Sequence, residues 1–91
     1  MYDKLFDAIL GLRDRDECAA FFDDLCTIKE LQDMSQRFDV ALLLDGGKNY
    51  GEISALTGAS SATISRVNRC LNYGSGGYKS VIDKTKGDKD E

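Results

Sequence analysis

The sequence predicts an all-α domain that carries a helix-turn-helix, and three observations lead there. Apolar residues recur at offsets of three and four through most of the chain, with no β alternation and no internal repeat. Helix-start pairs recur as well: Asp14 with Glu17, Thr27 with Glu30, and Asn49 with Glu52, each an N-cap residue followed three positions later by an acid. Between two short helical patterns Gly58 is followed at once by Ala59-Ser60-Ser61. A glycine able to take φ > 0 lets the chain turn sharply there, and a serine at 60 or 61 caps the next helix.

The elements follow in order. Leu5, Phe6, Ile9 and Leu10, with Tyr2, mark a first helix from Tyr2 to Leu12, with Gly11 near its end. Asp14 starts a second over about 15–26, carrying Cys18, Ala19, Phe22, Leu25 and Cys26. Thr27 opens the longest, about 28–45, with Ile28, Leu31, Met34, Phe38, Ala41 and Leu42 in one stripe. Val40, Leu43 and Leu44 widen that stripe until the helix is apolar almost all round, so it needs cover from more than one side. Gly46-Gly47 stops it.

Asn49 caps the first helix of the helix-turn-helix, about 50–57, which offers Ile53 and Leu56 to a core. The second, about 61–72, turns Ile64, Val67 and Leu71 inward and Ser60, Ser61, Thr63, Ser65, Arg66 and Arg69 outward. Beyond Gly74-Ser75-Gly76-Gly77, Tyr78 to Thr85 predict a last short helix with Val81 and Ile82 inward. The chain is thus read as a single domain in three parts. Residues 1–45 form a dimer core, 46–85 hold the helix-turn-helix head and short helix, and 86–91 are a charged, disordered tail.

Composition narrows the function. The 91 residues, 42% hydrophobic, make one small globular domain whose core is marginal if built alone. The apolar faces of Phe6, Phe21, Phe22, Phe38 and Val40–Leu44 exceed what such a monomer hides, and a second copy is expected to cover them. No run of about 18 apolar residues predicts a membrane span. The N-terminal residues lack the basic-then-apolar order of a signal peptide, so a cytoplasmic place is expected. Three cysteines, Cys18, Cys26 and Cys70, with no CxxC and no His, do not make a zinc site; they read as buried or half-buried thiols. No metal and no cofactor is expected.

Net charge is −4, but it is divided by region. Residues 1–45 hold 11 acidic and 5 basic side chains, whereas residues 46–80 hold Lys48, Arg66, Arg69 and Lys79 against Glu52 alone. The helix-turn-helix half is the basic one, as phosphate contact requires. Two helices, a tight turn and a polar outer face with two arginines form a reader of the DNA major groove. Ser61, Thr63 and Arg66 are expected on base edges, and Lys48, Ser60 and Arg69 on phosphates. Residues 60–63 also lie at a helix N-terminus, where amides favour a phosphate.

Other chemistry has less to stand on. Gly74-Ser75-Gly76-Gly77 lacks the spacing of a phosphate loop and reads as a connector, with Tyr73 and Tyr78 beside it packing on the head. Without His, the serines have no base for triad logic, and Asp23-Asp24 point to different faces, so no enzyme is expected. The rival reading is a helix-turn-helix protein-interaction module that docks through the acidic first half. A regulator gated by some other small ligand is a variant of the first reading.

The run Gly58-Ala59-Ser60-Ser61-Ala62-Thr63-Ile64-Ser65-Arg66, with the order of elements around it, resembles the Trp repressor superfamily. Met34-Ser35-Gln36-Arg37 and the segment from Thr63 to Gly74 resemble more narrowly its YerC/YecD branch. The likeness runs from about Leu5 to Tyr78 and is most specific over 58–74. It implies an intertwined helical homodimer whose helix-turn-helix heads meet successive major grooves of a two-fold operator. In the Trp repressor two arginines hold the corepressor tryptophan between the long helix and the recognition helix, and a glycine makes room for its ring. By position the arginines fall on Arg37, allowing one residue less in the loop near Gly47–Asn49, and on Arg66. The glycine falls on Val67. Arg37, Arg66 and Val67 are therefore the candidate ligand pocket, with Val67 predicting that tryptophan does not bind. Arg37 is otherwise expected in an ion pair along its helix or between subunits.

Overall fold

The computed structural model describes residues 1–90, with side chains described to residue 86. Six helices follow one another, with no strand among the described residues: α1 (Asp3–Leu10), α2 (Arg15–Leu25), α3 (Ile28–Asp45), α4 (Tyr50–Thr57), α5 (Ser61–Tyr73) and α6 (Gly77–Asp90). The first five lie within two residues of their predicted bounds. Their ends are fixed by local chemistry. Asp14 accepts the Glu17 amide at 2.8 Å. Thr27 and Glu30 cap reciprocally: the Glu30 amide donates to Thr27 Oγ1 at 3.1 Å, and the Thr27 amide donates to Glu30 Oε1 at 2.8 Å. The Thr27 amide, and after it the hydroxyl, hold the Glu30 carboxyl below its ordinary range. α3 stops where Gly47 takes φ 84°, with the Lys48 amide reaching back to the Leu43 carbonyl at 3.0 Å, a Schellman-type closure.

The chain divides into two compact units, Met1–Asp33 and Met34–Glu91. In the first, no residue of α1 or α2 is buried. Phe6, Leu10, Leu25 and Ile28 stand exposed. Ring contacts join only near neighbours, Tyr2 with Phe6 and Phe21 with Phe22. An open groove of about 1000 Å³ runs past Ile9, Leu12, Cys18, Phe22 and Leu31.

The second unit has a closed core. Val40 and Ala41 of α3, Ile53 of α4, Ala59 of the turn, Ile64, Val67 and Leu71 of α5, and Ile82 of α6 are all buried together. Phe38, Leu43, Leu44 and Tyr78 pack half-buried against them. Each of the fully buried Val and Ile side chains contributes on the order of 1.5–3 kcal/mol, so this unit carries the hydrophobic stabilisation of the single chain.

Three details differ from the sequence reading. On α3 the buried residues are Ala41, expected within the stripe, and Val40, expected only at its margin, while Ile28, Met34 and Leu42 are exposed. At 100° per residue Leu42 lies roughly 200° from Val40, so the side that meets the core turns Leu42 out. Leu56, expected in the core, is 68% exposed. Half-buried Thr57, one turn after Ile53, takes the inward position instead. On α6, Ile82 is buried as expected but Val81 is exposed. That helix continues through 86–90, where a disordered tail was expected, and residue 91 lies outside the described residues. The extension starts from an anchor: Lys86 is ion-paired with Asp45 at the end of α3.

Candidate nucleic-acid interface

The turn between α4 and α5 is built first from Gly58, which ends α4 with φ 75° and donates its amide to the Ser54 carbonyl at 2.8 Å. A residue with a β-carbon is disfavoured in that left-handed conformation. Side chains then lock the turn. Thr57 Oγ1 donates to the Ile53 carbonyl at 2.8 Å and accepts the Ala59 amide at 3.1 Å. Ser54 Oγ donates to the Ala59 carbonyl at 3.1 Å, and Gln36 Nε2 of α3 donates to the Thr57 carbonyl at 3.2 Å. Sequence reasoning assigned no role to Ser54, Thr57 or Gln36. A hydroxyl residue directly before the turn glycine is a signal that could have found Thr57; nothing in the spacing points to Gln36.

α5 starts at Ser60. Its hydroxyl accepts the Thr63 amide and donates to Thr63 Oγ1, both at 3.2 Å, and its carbonyl accepts the Ile64 amide. The amides of Ser61 and Ala62 find no acceptor among the described residues. They face outward with the Ser61 hydroxyl at the positive end of a 13-residue helix. Further along, Ser65, Arg66 and Arg69 are exposed, and neither arginine has an ion pair or hydrogen bond among the described residues. From residue 53 to residue 82 the sequence contains no Asp or Glu, so nothing on α5 competes for those two guanidiniums.

Two lysines stand differently from the sequence count. Lys48 lies 4.0 Å from the Glu52 carboxylate, exposed on both sides, and such a pair leaves it largely available. Lys79 is engaged: it donates to Asp45 Oδ1 at 3.0 Å, while Lys86 donates to Oδ2 at 2.5 Å. The Asp45 side chain is only 6% exposed. Lys86, and then Lys79, hold its carboxyl below the ordinary range against the opposing effect of desolvation. Of the four basic residues counted between 46 and 80, Lys79 is thus committed within the fold, and Arg66, Arg69 and Lys48 are left available.

Arg37 of α3 is half-buried and makes no ion pair among the described residues, so the pair expected along its helix does not form. Val67 is 1% exposed in the core, and Arg66 is at the surface of the same helix. Tyr78 packs on the core as expected, but Tyr73 is 87% exposed. Cys70, expected to be at least half-buried, is exposed, while Cys18 and Cys26 are half-buried.

Residues 1–86 match the family described as Trp repressor protein. The chain belongs to the Trp repressor family. Over 84 residues it is 55% identical to the uncharacterised protein YerC of Bacillus subtilis (strain 168), an alignment covering 92% of this chain and 81% of that one. This places it in the YerC branch. A TrpR-like protein from Eubacterium eligens ATCC 27750 is 52% identical with a TM-score of 0.90, covering 92% of this chain and 87% of that one. The crystal structure of a candidate Trp repressor from Staphylococcus aureus is 50% identical with a TM-score of 0.89, covering 92% and 84%. The family supports a DNA-binding regulator as the kind of protein. Among the described residues no helix is long and apolar enough to cross a membrane.

Proposed function

We propose that the chain is a sequence-specific DNA-binding transcriptional regulator, a repressor in kind, acting in the cytoplasm as a homodimer on a two-fold operator. The observation that carries this reading is the outer face of α5. It holds two unpaired arginines and free N-terminal amides on a stretch without acids, while its inner face is committed to the core. Ser61, Thr63 and Arg66 are assigned to base edges, and Arg69 and Lys48 to phosphates. The Ser60 hydroxyl proton is already given to Thr63, so Ser60 serves a phosphate chiefly by shaping the helix start that offers it the Ser61 and Ala62 amides.

The dimer rests on the first unit. With no buried residue in α1 or α2 and an apolar groove lying open, Met1–Asp33 lacks a core that a second copy would complete. Two heads then meet half-sites about 34 Å apart. Tryptophan is not the effector on this reading, because Val67 fills the place where the resemblance sets a glycine; Arg37 and Arg66 remain available to some other small ligand.

Selection of bound duplexes from a random-sequence pool tests the whole proposal. A two-fold motif is expected, and Arg66→Ala should cost about 1–3 kcal/mol and relax preference at its base position. Absence of binding to any duplex at about 50 mM salt would reject DNA as the partner and favour a protein-interaction module.

A further inference from the structure

We infer that Tyr73 is a further DNA contact, its phenol hydroxyl donating a hydrogen bond to a backbone phosphate at the rim of the major groove. This rests on the DNA-binding reading of α5 and deepens it. Tyr73 is the last residue of α5 and, at 87% exposure, the most open aromatic residue described. Among the described residues its ring has no aromatic neighbour and its hydroxyl no hydrogen-bond partner. Exposure of one aromatic residue is ordinary by itself; its position is what matters.

At 3.6 residues per turn, Ala62, Arg66, Arg69 and Tyr73 fall within a sector of roughly 60°, almost opposite Ile64, Val67 and Leu71. Tyr73 thus lies on the same stripe as both arginines. From Ser61 to Tyr73 the helix rises about 18 Å, whereas the major groove is about 12 Å wide. A recognition helix that enters N-terminus first therefore brings its C-terminal end out to the sugar-phosphate backbone.

The end of α5 is fixed at this point. A β-carbon on Gly74 would collide with the Cys70 carbonyl oxygen, so only glycine makes the turn that follows Tyr73 without displacing backbone. Bases in a duplex are stacked and closed to the ring, but phosphate oxygens at the rim accept hydrogen bonds from tyrosine hydroxyls. No acid between 53 and 82 repels that phosphate.

The test compares full-length wild type, Tyr73→Phe, Tyr73→Ala and Arg69→Ala on random-sequence duplexes of about 30 base pairs, from about 50 to 200 mM salt. Tyr73→Phe removes the bond from both subunits of the dimer and should weaken binding about ten- to a hundredfold at every salt concentration. A neutral donor releases no counterion, so its slope of log affinity against log salt should match wild type. Arg69→Ala removes one charge from each subunit of the dimer and should reduce that slope by about two. The melting temperature and dimer mass of Tyr73→Phe should match wild type. Wild-type affinity in Tyr73→Phe overturns the inference alone. Loss confined to Tyr73→Ala also overturns it, assigning the ring instead of the hydroxyl. A changed dimer mass in Tyr73→Phe overturns it in favour of a subunit contact. A wild-type protein that binds no duplex overturns this inference and the DNA reading together.

Discussion

Where the Trp repressor resemblance sets a glycine, this chain carries Val67, and the valine is packed among Val40, Ala41, Ile53 and Ile64. Admitting an indole beside it means displacing close-packed side chains, and overpacking costs about 1–3 kcal/mol. Near the upper value, affinity falls more than about a hundredfold. Titration calorimetry with L-tryptophan to about 1 mM is expected to show no binding, and a clear isotherm with a matching thermal shift would reopen the pocket. The burial of Val67 was legible because Ile64, Val67 and Leu71 share one helix face by spacing alone. Gly58 and the Ser60 cap were legible for the same reason: each acts within four residues of itself. Leu56 and Tyr73 were not. Their periodicity says which way they point on a helix, and only the packed neighbours decide whether anything lies there.

α3 and α6 are joined by Asp45, whose two oxygens take Lys79 and Lys86. The lysines lie seven residues apart with buried Ile82 between them, so α6 docks by Ile82 flanked by two charges, together with half-buried Tyr78. No spacing rule connects partners 34 and 41 residues apart, which is why the regional charge count treated Lys79 as free. The lowered carboxyl of Asp45 sets a sign. Its contribution to stability is complete above the ordinary range of an unfolded Asp and is lost as pH falls through its depressed native value. Asp45→Asn should melt at a lower temperature than wild type at pH about 7, with the two curves converging towards pH about 2. An equal gap at both pH values would show that the ion pairs are not the source. The capping pairs, by contrast, were readable in advance, because a cap and its acid are set by sequence distance.

At the scale of the whole molecule the contrast is between a second unit with a closed core and a first unit with none. The all-α class and the excess of apolar surface were both readable from composition and periodicity. Where that surface is covered was not, because covering it on the dimer reading takes residues of another chain. Dimerisation predicts a melting temperature that rises with protein concentration, since each tenfold increase adds about 1.4 kcal/mol to a two-chain equilibrium. Light scattering at micromolar concentration should give twice the chain mass. A monomer mass and a concentration-independent transition would remove the dimer from the proposal.

The bare first unit also bears on how such a regulator is kept in the cell. If α1 and α2 bury their apolar residues only against a second copy, a newly made chain holds them out to proteases and chaperones until it meets one. Its survival then depends on its own abundance, and expression below a threshold is cleared rather than stored. The groove past Ile9 and Phe22 would in that way act as a quorum count for the protein itself, made before any operator is read.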